Sequence, residues 1–419
     1  MRKICGIMQN QAKRQNSDKY IYDICIRTFD MKNTSDTKSL ATLRTNSRNS
    51  TCLSDDNPTP RTHATPFAKT TPITPTLDST KRNLARQKWQ IFKRNKRALI
   101  SLYIFGFLCF VSIFAPLIAN HKPILIYHNH SFYFPLFAFY PESAFGGDFE
   151  SEPDYNDPFV KELLKDSFVL KPLIPYSYDT IILDLDTNSP TPPDSKHLLG
   201  SDDQARDVAS RLIYGLAISI AFGLVLSVFC VIIGVSVGGA CGYYGGLVDL
   251  LGQRGIEIYS SVPILFLLII LSSFIVPSFW WILAIVLAFS WISLVGVVRA
   301  EFLKARNMEY VKAARALGLS NVRIIFRHLL PNAMVATITY IPFIMAGSIS
   351  TLVTLDFLGF GMPVGSPSLG EIIEQAKNNL TSPHLAISGF VGVGVLLCVL
   401  VFIGEGVRDA FDPRIKEKS

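Results

Sequence analysis

Five stretches without a single Asp, Glu, Lys or Arg constrain this 419-residue chain more than any other feature. About 20 apolar residues in a helix cross the hydrocarbon core of a bilayer, so each stretch predicts at least one membrane span. One of them is about twice that length and has Pro277-Ser278 near its middle, which predicts two spans joined by a tight turn. The stretches are Leu99 to Ala119, Leu212 to Tyr244, Ile258 to Val298, Asn332 to Leu355 and Leu385 to Gly404. The sequence therefore predicts an all-α polytopic membrane protein with six spans.

The distribution of basic residues predicts how the spans are oriented. Between the fourth and fifth spans, residues 299–331 hold seven Lys and Arg against two Glu. Short loops rich in Lys and Arg remain cytoplasmic, so six spans place both termini inside as well. Residues 1–97 agree, with 20 Lys and Arg against 7 Asp, whereas residues 121–196 have 5 Lys against 12 Asp and Glu. The acidic stretch is therefore expected outside, and the overall charge of +7 hides this polarity.

These features divide the chain into six expected parts. Residues 1–80 are rich in Ser, Thr, Asn and Pro and are expected to be a disordered, basic cytoplasmic tail. Attraction to anionic lipid or simple solvation explains its positive charge, so no nucleic-acid partner is predicted. The other parts are a basic amphipathic membrane-surface helix at 81–97, a first span at 98–119, an external insert at 120–211, a five-helix domain at 212–407 and a cytoplasmic tail at 408–419. Clustered aromatic residues predict short strands and turns in the insert.

The sequence lacks the residue patterns that commonly form disulfides or bind metal ions and nucleotides. The seven cysteines are scattered with no CxxC pair, and His121, His128 and His130 are accompanied by no ligand-spaced carboxylates, so no disulfide framework or metal site is predicted. The chain contains no Gly-Lys dipeptide and hence no P-loop for ATP phosphates. The amino terminus lacks the apolar core of a cleavable signal, so the first span is expected to direct insertion.

A polar, basic insert from Met308 to Asn332 separates the fourth and fifth spans. Apolar residues at helical spacing, then Gly318, then Ser320 or Asn321 as a cap predict a helix, a glycine turn and a second helix. Val322, Ile325, Phe326 and Leu329 recur at i, i+3, i+4 and i+7, and Pro331 interrupts that pattern. We expect this apolar face to pack on the protein's own body, which leaves the first helix free to contact another protein.

This insert resembles the loop that marks the permease subunits of ABC importers, with the pattern Glu-Ala-Ala, three residues, Gly, nine residues, Ile-x-Leu-Pro. Lys312 replaces the glutamate of this pattern and His328 replaces the isoleucine. The alternative interpretation of the insert is an ordinary amphipathic helical hairpin between two spans. The matching positions are Ala313, Ala314, Gly318, Leu330 and Pro331.

A second match, HLLGSDDQARDVASRLIYGLAIS from His197 to Ser219, lies just before the second span. It is similar to the HPLGTDxxGRDxxSRLxxGARxS signature of the oligopeptide and dipeptide permease family, with Ala205 in place of a glycine and Leu216 in place of an alanine. Charges in lipid are costly, so these side chains are expected to pair at the membrane interface. A structural ion-pair cluster at the external mouth is the favoured interpretation, and direct substrate binding is the alternative. The mouth cluster comprises Asp202, Asp203, Arg206, Asp207 and Arg211.

Further matches extend the resemblance over residues of about 85 to 415. They include GYYGG with Asp249, Arg254 and Glu257 available for ion pairs, LVGVVRAEFLKARN, DFLGFGMPVGSPSLGE and GEGVRDAFDP, and together they are most similar to the Yej-type permeases for peptides and microcin C. Within the second span, Gly234, Gly238 and Gly242 recur every fourth residue, a spacing that lets helices approach closely.

The resemblance implies the type I ABC importer permease fold and a non-catalytic permease subunit in the bacterial inner membrane. It implies transport of di- and oligopeptides, including microcin C-like peptides, with a separate ABC ATPase, a second permease chain and a periplasmic peptide-binding protein as partners, and no cofactor of its own. The coupling segment, residues 300–331, would contact the ATPase. Its implied contact residues are Glu309, Tyr310, Lys312, Ala313, Ala314, Leu317, Gly318 and Pro331.

Two other classes compete with this interpretation. An ion-coupled secondary transporter needs ionisable groups near the middle of the membrane, and the apolar stretches have no acidic or basic side chain. A membrane receptor or scaffold would have no need of a helix-glycine-helix insert between spans.

Overall fold

The structure is a computed structural model that describes residues 77–182, 188–272, 274–363 and 365–411. Nearly all of the expected tail at 1–80 and most of the tail at 408–419 lie outside these residues. The described part is mostly helical. Its helices are α1 Leu77–Arg94, α2 Lys96–Ile113, α3 Ala115–Ile118, α4 Pro158–Leu163, α5 Val208–Tyr244, α6 Gly246–Ser260, α7 Ile264–Ser272, α8 Phe279–Ser290, α9 Ile292–Ala305, α10 Glu309–Ala316, α11 Asn321–Ile324, α12 Leu330–Phe357, α13 Leu369–Asn378 and α14 Pro383–Phe411.

Among the described residues, five helices are long and apolar enough to cross a membrane, and they confirm the multi-pass architecture. Each corresponds to one of the uncharged stretches of the sequence. Consecutive elements merge in two of them, α8 with α9 and α11 with α12. The spans are Lys96–Ile113, Val208–Tyr244, Phe279–Ala305, Asn321–Phe357 and Pro383–Phe411.

The remaining expected span, from Ile258 to Pro277, corresponds to the end of α6 and to α7. The chain does turn before α8, where Ser278 caps the helix by accepting a hydrogen bond from the Trp281 amide. However, α7 has only 9 residues, about 14 Å at 1.5 Å per residue, and Pro263 separates it from α6. Because a bilayer core is about 30 Å thick, α7 alone is too short to cross it, and the sixth span stays a prediction.

The segment between α3 and α5 contains a small sheet, as its aromatic pattern predicts. Strand β1, Leu125–His128, pairs antiparallel with β2, Ser131–Tyr133, and with β3, Phe168–Leu170, in the order β2-β1-β3. One face of the sheet covers a core of Ile126, Phe145, Tyr155, Val160 and Leu164. Its position outside the membrane stays a prediction.

Helix α5 lies at the centre of the packing, because small residues on it allow close neighbours. A β-carbon at Gly223 would lie 2.9 Å from Met345 of α12, and one at Gly238 would lie 2.8 Å from the Val295 carbonyl of α9. At Gly242 the added atom would be 2.6 Å from the Phe302 side chain. The four-residue repeat therefore serves close helix packing within this chain, as predicted.

Helix α1 packs against the other end of the chain. Phe92 is buried in a cluster with Ala98 and Ala410, and Asn95 separates α1 from α2 by accepting a hydrogen bond from the Ala98 amide. The expected basic helix at 81–97 is therefore confirmed as helix, although it breaks at Asn95. Its contact with a membrane surface stays a prediction.

Candidate functional sites at the two ends of α5

Helix α10 of the coupling segment has one buried face and one exposed face. Val311 and Ala314 are buried in a core with Phe302, Ile324 and Leu329. Of the residues predicted to contact the ATPase, Ala314 is therefore buried within the chain. The others are exposed: Glu309, Tyr310, Lys312, Ala313, Leu317, Gly318 and Pro331.

Gly318 ends this helix in the left-handed conformation, with a φ of +75°. Its amide donates to the Arg315 carbonyl at 2.9 Å, and the Leu319 amide donates to the Ala314 carbonyl at 3.2 Å. A β-carbon at Gly318 would meet nothing within 4 Å, so the requirement for glycine is conformational rather than steric. The predicted glycine turn is confirmed, and Ser320 takes the N-cap position of α11 without a side-chain hydrogen bond.

The second helix of the hairpin differs from the prediction. A π turn, Ile325–Leu329, connects α11 directly to α12, and Pro331 lies in the first turn of α12 rather than ending a separate helix. The wide turn suits a proline that has no N–H to donate backwards. It also shifts the phase of the apolar pattern, so Val322 and Phe326 are exposed, whereas Ile324 and Leu329 are buried.

Several polar contacts tie the coupling segment to the inner end of α5. The Tyr243 hydroxyl donates to Asn321 at 2.7 Å, and the Arg306 guanidinium donates to the Gly242 carbonyl at 3.3 Å. The guanidinium of Arg315 lies 5.1 Å from the Tyr243 ring centroid. The coupling segment therefore contacts the inner end of α5 directly, with Arg315 as the contact residue on α10.

Two ion pairs form near this end, instead of one network. Asp249 of α6 accepts from Arg299 of α9 at 2.6 Å, and this hydrogen bond holds the pKa of the Asp249 carboxyl below its usual range. Arg254 pairs with Glu257 at 2.6 Å within α6. Only the first pair joins two helices.

The mouth cluster lies at the opposite end of α5, and most of it is buried. Arg206 pairs with Asp202 at 2.7 Å and with Glu371 of α13 at 3.1 Å, and Arg211 pairs with the other oxygen of Glu371 at 2.7 Å. The Arg211 guanidinium also donates to the Ser366 carbonyl at 3.0 Å. The charges are thus paired in a bidentate arrangement that joins the start of α5 to α13.

Asp207 and Asp203 have different surroundings. Asp207 caps α5 by accepting from the Ser210 amide at 2.8 Å, and its other oxygen lies 3.3 Å from His197. Asp203 is exposed beside the cluster, and partial burial together with the charge of Asp202 raises the pKa of its carboxyl. Four of the five residues of the mouth cluster therefore share a buried site, and Asp203 lies at its rim.

Sequence reasoning missed Glu371, Gln375 and His197 as members of this site. The available signal was the amphipathic character of residues 369–378, in which Glu371 and Gln375 are separated by four positions and hence share one face. Nothing in that local pattern points to Arg211, which is 160 residues away.

The histidines that raised the question of a metal contact different partners. His128 lies 2.6 Å from the Ser167 hydroxyl, and His130 lies 3.3 Å from the Tyr127 hydroxyl. Among the residues that the structure describes, no group of three His, Cys, Asp or Glu side chains could hold a metal ion.

Comparison with known families finds two matching models, one for residues 83–138 and one for residues 230–417. A family model described as "Binding-protein-dependent transport system inner membrane component" matches residues 230–417. A second model, "N-terminal TM domain of oligopeptide transport permease C", matches residues 83–138. The first match includes the whole coupling segment, and the second includes α2.

Three curated relatives extend these matches. The chain is 52% identical over 327 residues to the inner membrane ABC transporter permease protein YejE of Escherichia coli (strain K12), covering 78% of this chain and 96% of that protein. It is 48% identical over 354 residues to the peptidoglycan transport system permease protein YejE of Agrobacterium fabrum, covering 78% and 93%. It is 33% identical over 223 residues to the dipeptide transport system permease protein DppC of Haemophilus influenzae, covering 53% and 75%. The chain therefore belongs to the family of inner membrane permease proteins of binding-protein-dependent ABC transporters, in the group that includes YejE and the oligopeptide and dipeptide permeases.

Proposed function

We propose that this chain is the non-catalytic permease subunit of an ATP-driven importer of peptides. It forms half of the translocation pathway with a second permease chain, receives peptide from a periplasmic binding protein and contacts a separate ATPase through the coupling segment. The names of the relatives support the substrate class, since one is a dipeptide permease and another a peptidoglycan permease. The charge distribution supports cytoplasmic termini and an external insert.

The two-faced helix α10 is the observation that carries the proposal. Its inner face is fixed to the chain by Val311 and Ala314, whereas Leu317 at its end is 82% exposed. An exposed leucine beside exposed Tyr310 has no stabilising role within the chain, and such a surface fits a groove of a partner. The fixed face transmits the partner's movement to α5 through Tyr243 and Arg306.

A cavity between α8, α9 and α12 supports the transport pathway. It has a volume of about 390 Å³, and hydroxyl groups of Ser290, Ser293, Tyr340 and Thr351 belong to its lining. Hydroxyls on membrane-spanning helices are suited to a surface that contacts water or a neighbouring subunit rather than lipid. We assign this surface to the half of the pathway that this chain contributes.

The test compares two matched substitutions of exposed leucines. Leu317→Asp places a charge at the end of α10, and Leu380→Asp does so between α13 and α14, where the side chain is 86% exposed. Neither leucine is part of a core, so both variants should insert at wild-type levels. We expect Leu317→Asp to lower ATPase co-purification and peptide uptake by at least about tenfold, since losing 1.4 kcal/mol of contact energy is sufficient. Leu380→Asp should retain ATPase association.

Equal ATPase association and equal uptake for the two variants at matched membrane levels would refute the coupling role of α10. Ala314→Asp is unsuitable for this test, because its side chain is buried in the chain's own core and the substitution would lower stability.

A further inference from the structure

An apolar groove is formed by the half of α5 that ends at Tyr244, the end of α9, the π turn and the start of α12. Its volume is about 470 Å³, and its described lining has no Asp, Glu, Lys, Arg or His. The Ser236 hydroxyl in the lining donates to the Ile232 carbonyl at 2.7 Å, so it is already satisfied within α5. The groove therefore offers mainly hydrocarbon surface to an occupant.

The π turn creates one wall of this groove. It places Phe326 outside the core of the chain, where this side chain is 64% exposed and lines the groove together with Ile325. On the opposite wall Ile232 of α5 is 56% exposed. Two apolar walls that face one opening form a concave site, and its volume lies within the range of about 300–1,000 Å³ that is typical of ligand sites.

Two arginines border the groove at the end nearest the coupling segment. Arg323 precedes Phe326 by three positions and Arg327 precedes Leu330 by three, so each arginine lies within one turn of a lining residue. Both arginines are exposed, and within the described chain neither takes part in an ion pair. Like charges four positions apart repel one another, so an anion bound to both would stabilise them.

A third guanidinium adds to the positive charge at this end. Arg306 follows the lining residue Phe302 by four positions, and it donates to the Gly242 carbonyl at 3.3 Å rather than to a carboxylate. The groove thus combines an apolar body with a positively charged end. Guanidinium groups bind phosphate oxygens with two parallel hydrogen bonds, which makes a phosphate the matching anion.

The position of the groove selects the source of that phosphate. Its walls belong to the spans Val208–Tyr244, Phe279–Ala305 and Asn321–Phe357, which are surrounded by lipid in a membrane. The charge distribution places this end of the spans on the cytoplasmic side, where the leaflet carries anionic lipids and where basic pockets between spans bind their headgroups. The second permease chain is expected elsewhere, because the cavity assigned to the pathway has no residue of α5 in its described lining.

We propose that this groove is a binding site for one anionic glycerophospholipid of the inner leaflet. One acyl chain lies along α5 between Ile232 and Phe326, and the phosphate binds Arg323 and Arg327. The site rests on the cytoplasmic orientation of the proposed function and adds a ligand to it. Because its two walls are α5 and the π turn, the bound lipid holds the base of the coupling segment against α5.

Native mass spectrometry of the purified full chain in detergent measures the binding, because it resolves each lipid-bound state. The probes are dioleoylphosphatidylglycerol, dioleoylphosphatidylcholine with the same acyl chains, and glycerol phosphate. The anionic lipid should occupy one saturable site and bind at least about tenfold more tightly than the zwitterionic lipid. Glycerol phosphate should neither bind nor compete at the same concentrations, since it has no acyl chain.

Two variants test the two parts of the site. Arg323→Gln/Arg327→Gln should remove the preference for the anionic lipid and weaken its binding by at least about tenfold, with binding of the zwitterionic lipid unchanged. Ser236→Phe fills the groove from an exposed position of α5 and should weaken binding of both lipids. The matched control, Arg254→Gln/Arg408→Gln, removes two exposed arginines from the same side of the membrane and should bind like wild type.

Equal binding of the two lipids, a preference retained by the double arginine variant, or full competition by glycerol phosphate would overturn the proposal. The same titration of the complete transporter addresses the alternative occupant. If the anionic lipid binds the isolated chain but not the transporter, and Ser236→Phe prevents assembly with the second permease chain, the groove is a subunit interface and the lipid assignment is wrong. These measurements need neither peptide nor ATP, so their outcome is independent of the ATPase association that Leu317→Asp tests.

Discussion

The two ends of α5 differ in which side chains are buried: charged groups are buried at its start, and apolar groups are exposed near its end. At its start, Arg211 and Asp202 are completely buried; Arg211 pairs with Glu371 of α13, and Asp202 pairs with Arg206 and Arg211. At its end, the coupling segment contacts α5 through bonds such as that of Tyr243 to Asn321 but exposes Leu317 and Tyr310. A helix of 37 residues is about 55 Å long, so the two regions are on opposite sides of a bilayer core. The buried charges of the mouth cluster are thus paired within this chain, whereas the coupling segment exposes apolar side chains that we propose a partner covers.

The largest expected effect comes from removing a buried charge at the mouth. Arg211→Ala leaves Glu371 without one of its partners in a buried site, and breaking such a pair costs about 3–5 kcal/mol. Arg254→Ala at the other end removes a pair whose side chains are 70% and 60% exposed, and should cost less than about 1 kcal/mol. Thermal unfolding of both purified variants in the same detergent measures the difference. Similar melting temperatures for the two variants would mean that the buried ion pair at the mouth does not stabilise the chain more than the exposed pair does.

Backbone conformation gives a second contrast between the two ends, with an expected effect of intermediate size. Gly318 in the coupling segment and Ala205 in the mouth loop both have left-handed φ, +75° and +59° respectively. A β-carbon in that conformation costs about 1–2 kcal/mol, so Gly318→Ala should destabilise the chain, whereas Ala205→Gly should stabilise it by about 1 kcal/mol or less.

Chemical denaturation of the two variants beside wild type tests this pair. Changes of the same sign at both positions would contradict the assigned conformations. Gly296→Ala serves as the control, since a β-carbon there meets nothing within 4 Å and its φ is not left-handed. It should be neutral or slightly stabilising.

The smallest expected effects depend on pH and have opposite signs at the two ends. The Asp203 pKa is raised, so ionisation costs stability as pH rises above the unfolded value of about 3.9. Asp203→Asn should therefore be stabilising at pH 7 and neutral near pH 3. The Asp249 pKa is lowered, so its contribution is present above about 3.9 and is lost as pH falls through the folded value. Asp249→Asn should be destabilising at pH 7.

Both changes should remain below about 1 kcal/mol, because both carboxylates are near solvent. Unfolding free energies of each variant and wild type, measured from pH 3 to about 8, provide the check. If both substitutions shift stability in the same direction at pH 7, the electrostatic contrast between the ends is wrong.

The sequence predicted most of the spans, because uncharged stretches report burial in lipid directly. It predicted the turn at Pro277-Ser278, but not that the helix before this turn, α7, has only 9 residues, because uncharged composition does not show where a helix begins. Helical periodicity predicted an apolar face on the second helix of the insert but was wrong for Val322 and Phe326, because the π turn at Ile325–Leu329 changes the phase. Such a turn leaves no simple mark in the sequence.

The sequence predicted some residues of the candidate sites and missed others. It shows roles that depend on nearby residues, but not contacts between distant helices. Gly318 was found because its conformational role is local. The mouth cluster was predicted to form ion pairs, and it does, but its main partner Glu371 comes from a distant helix and had no local signal.

The close contact between α5 and α9 has a mechanical consequence. With Gly238 against the Val295 carbonyl and Gly242 against Phe302, no space remains for one helix to slide along the other. We therefore expect the two helices to move as one rigid unit. If the coupling segment contacts the ATPase as proposed, a displacement at the end of α9 would reach the far end of α5 with little loss.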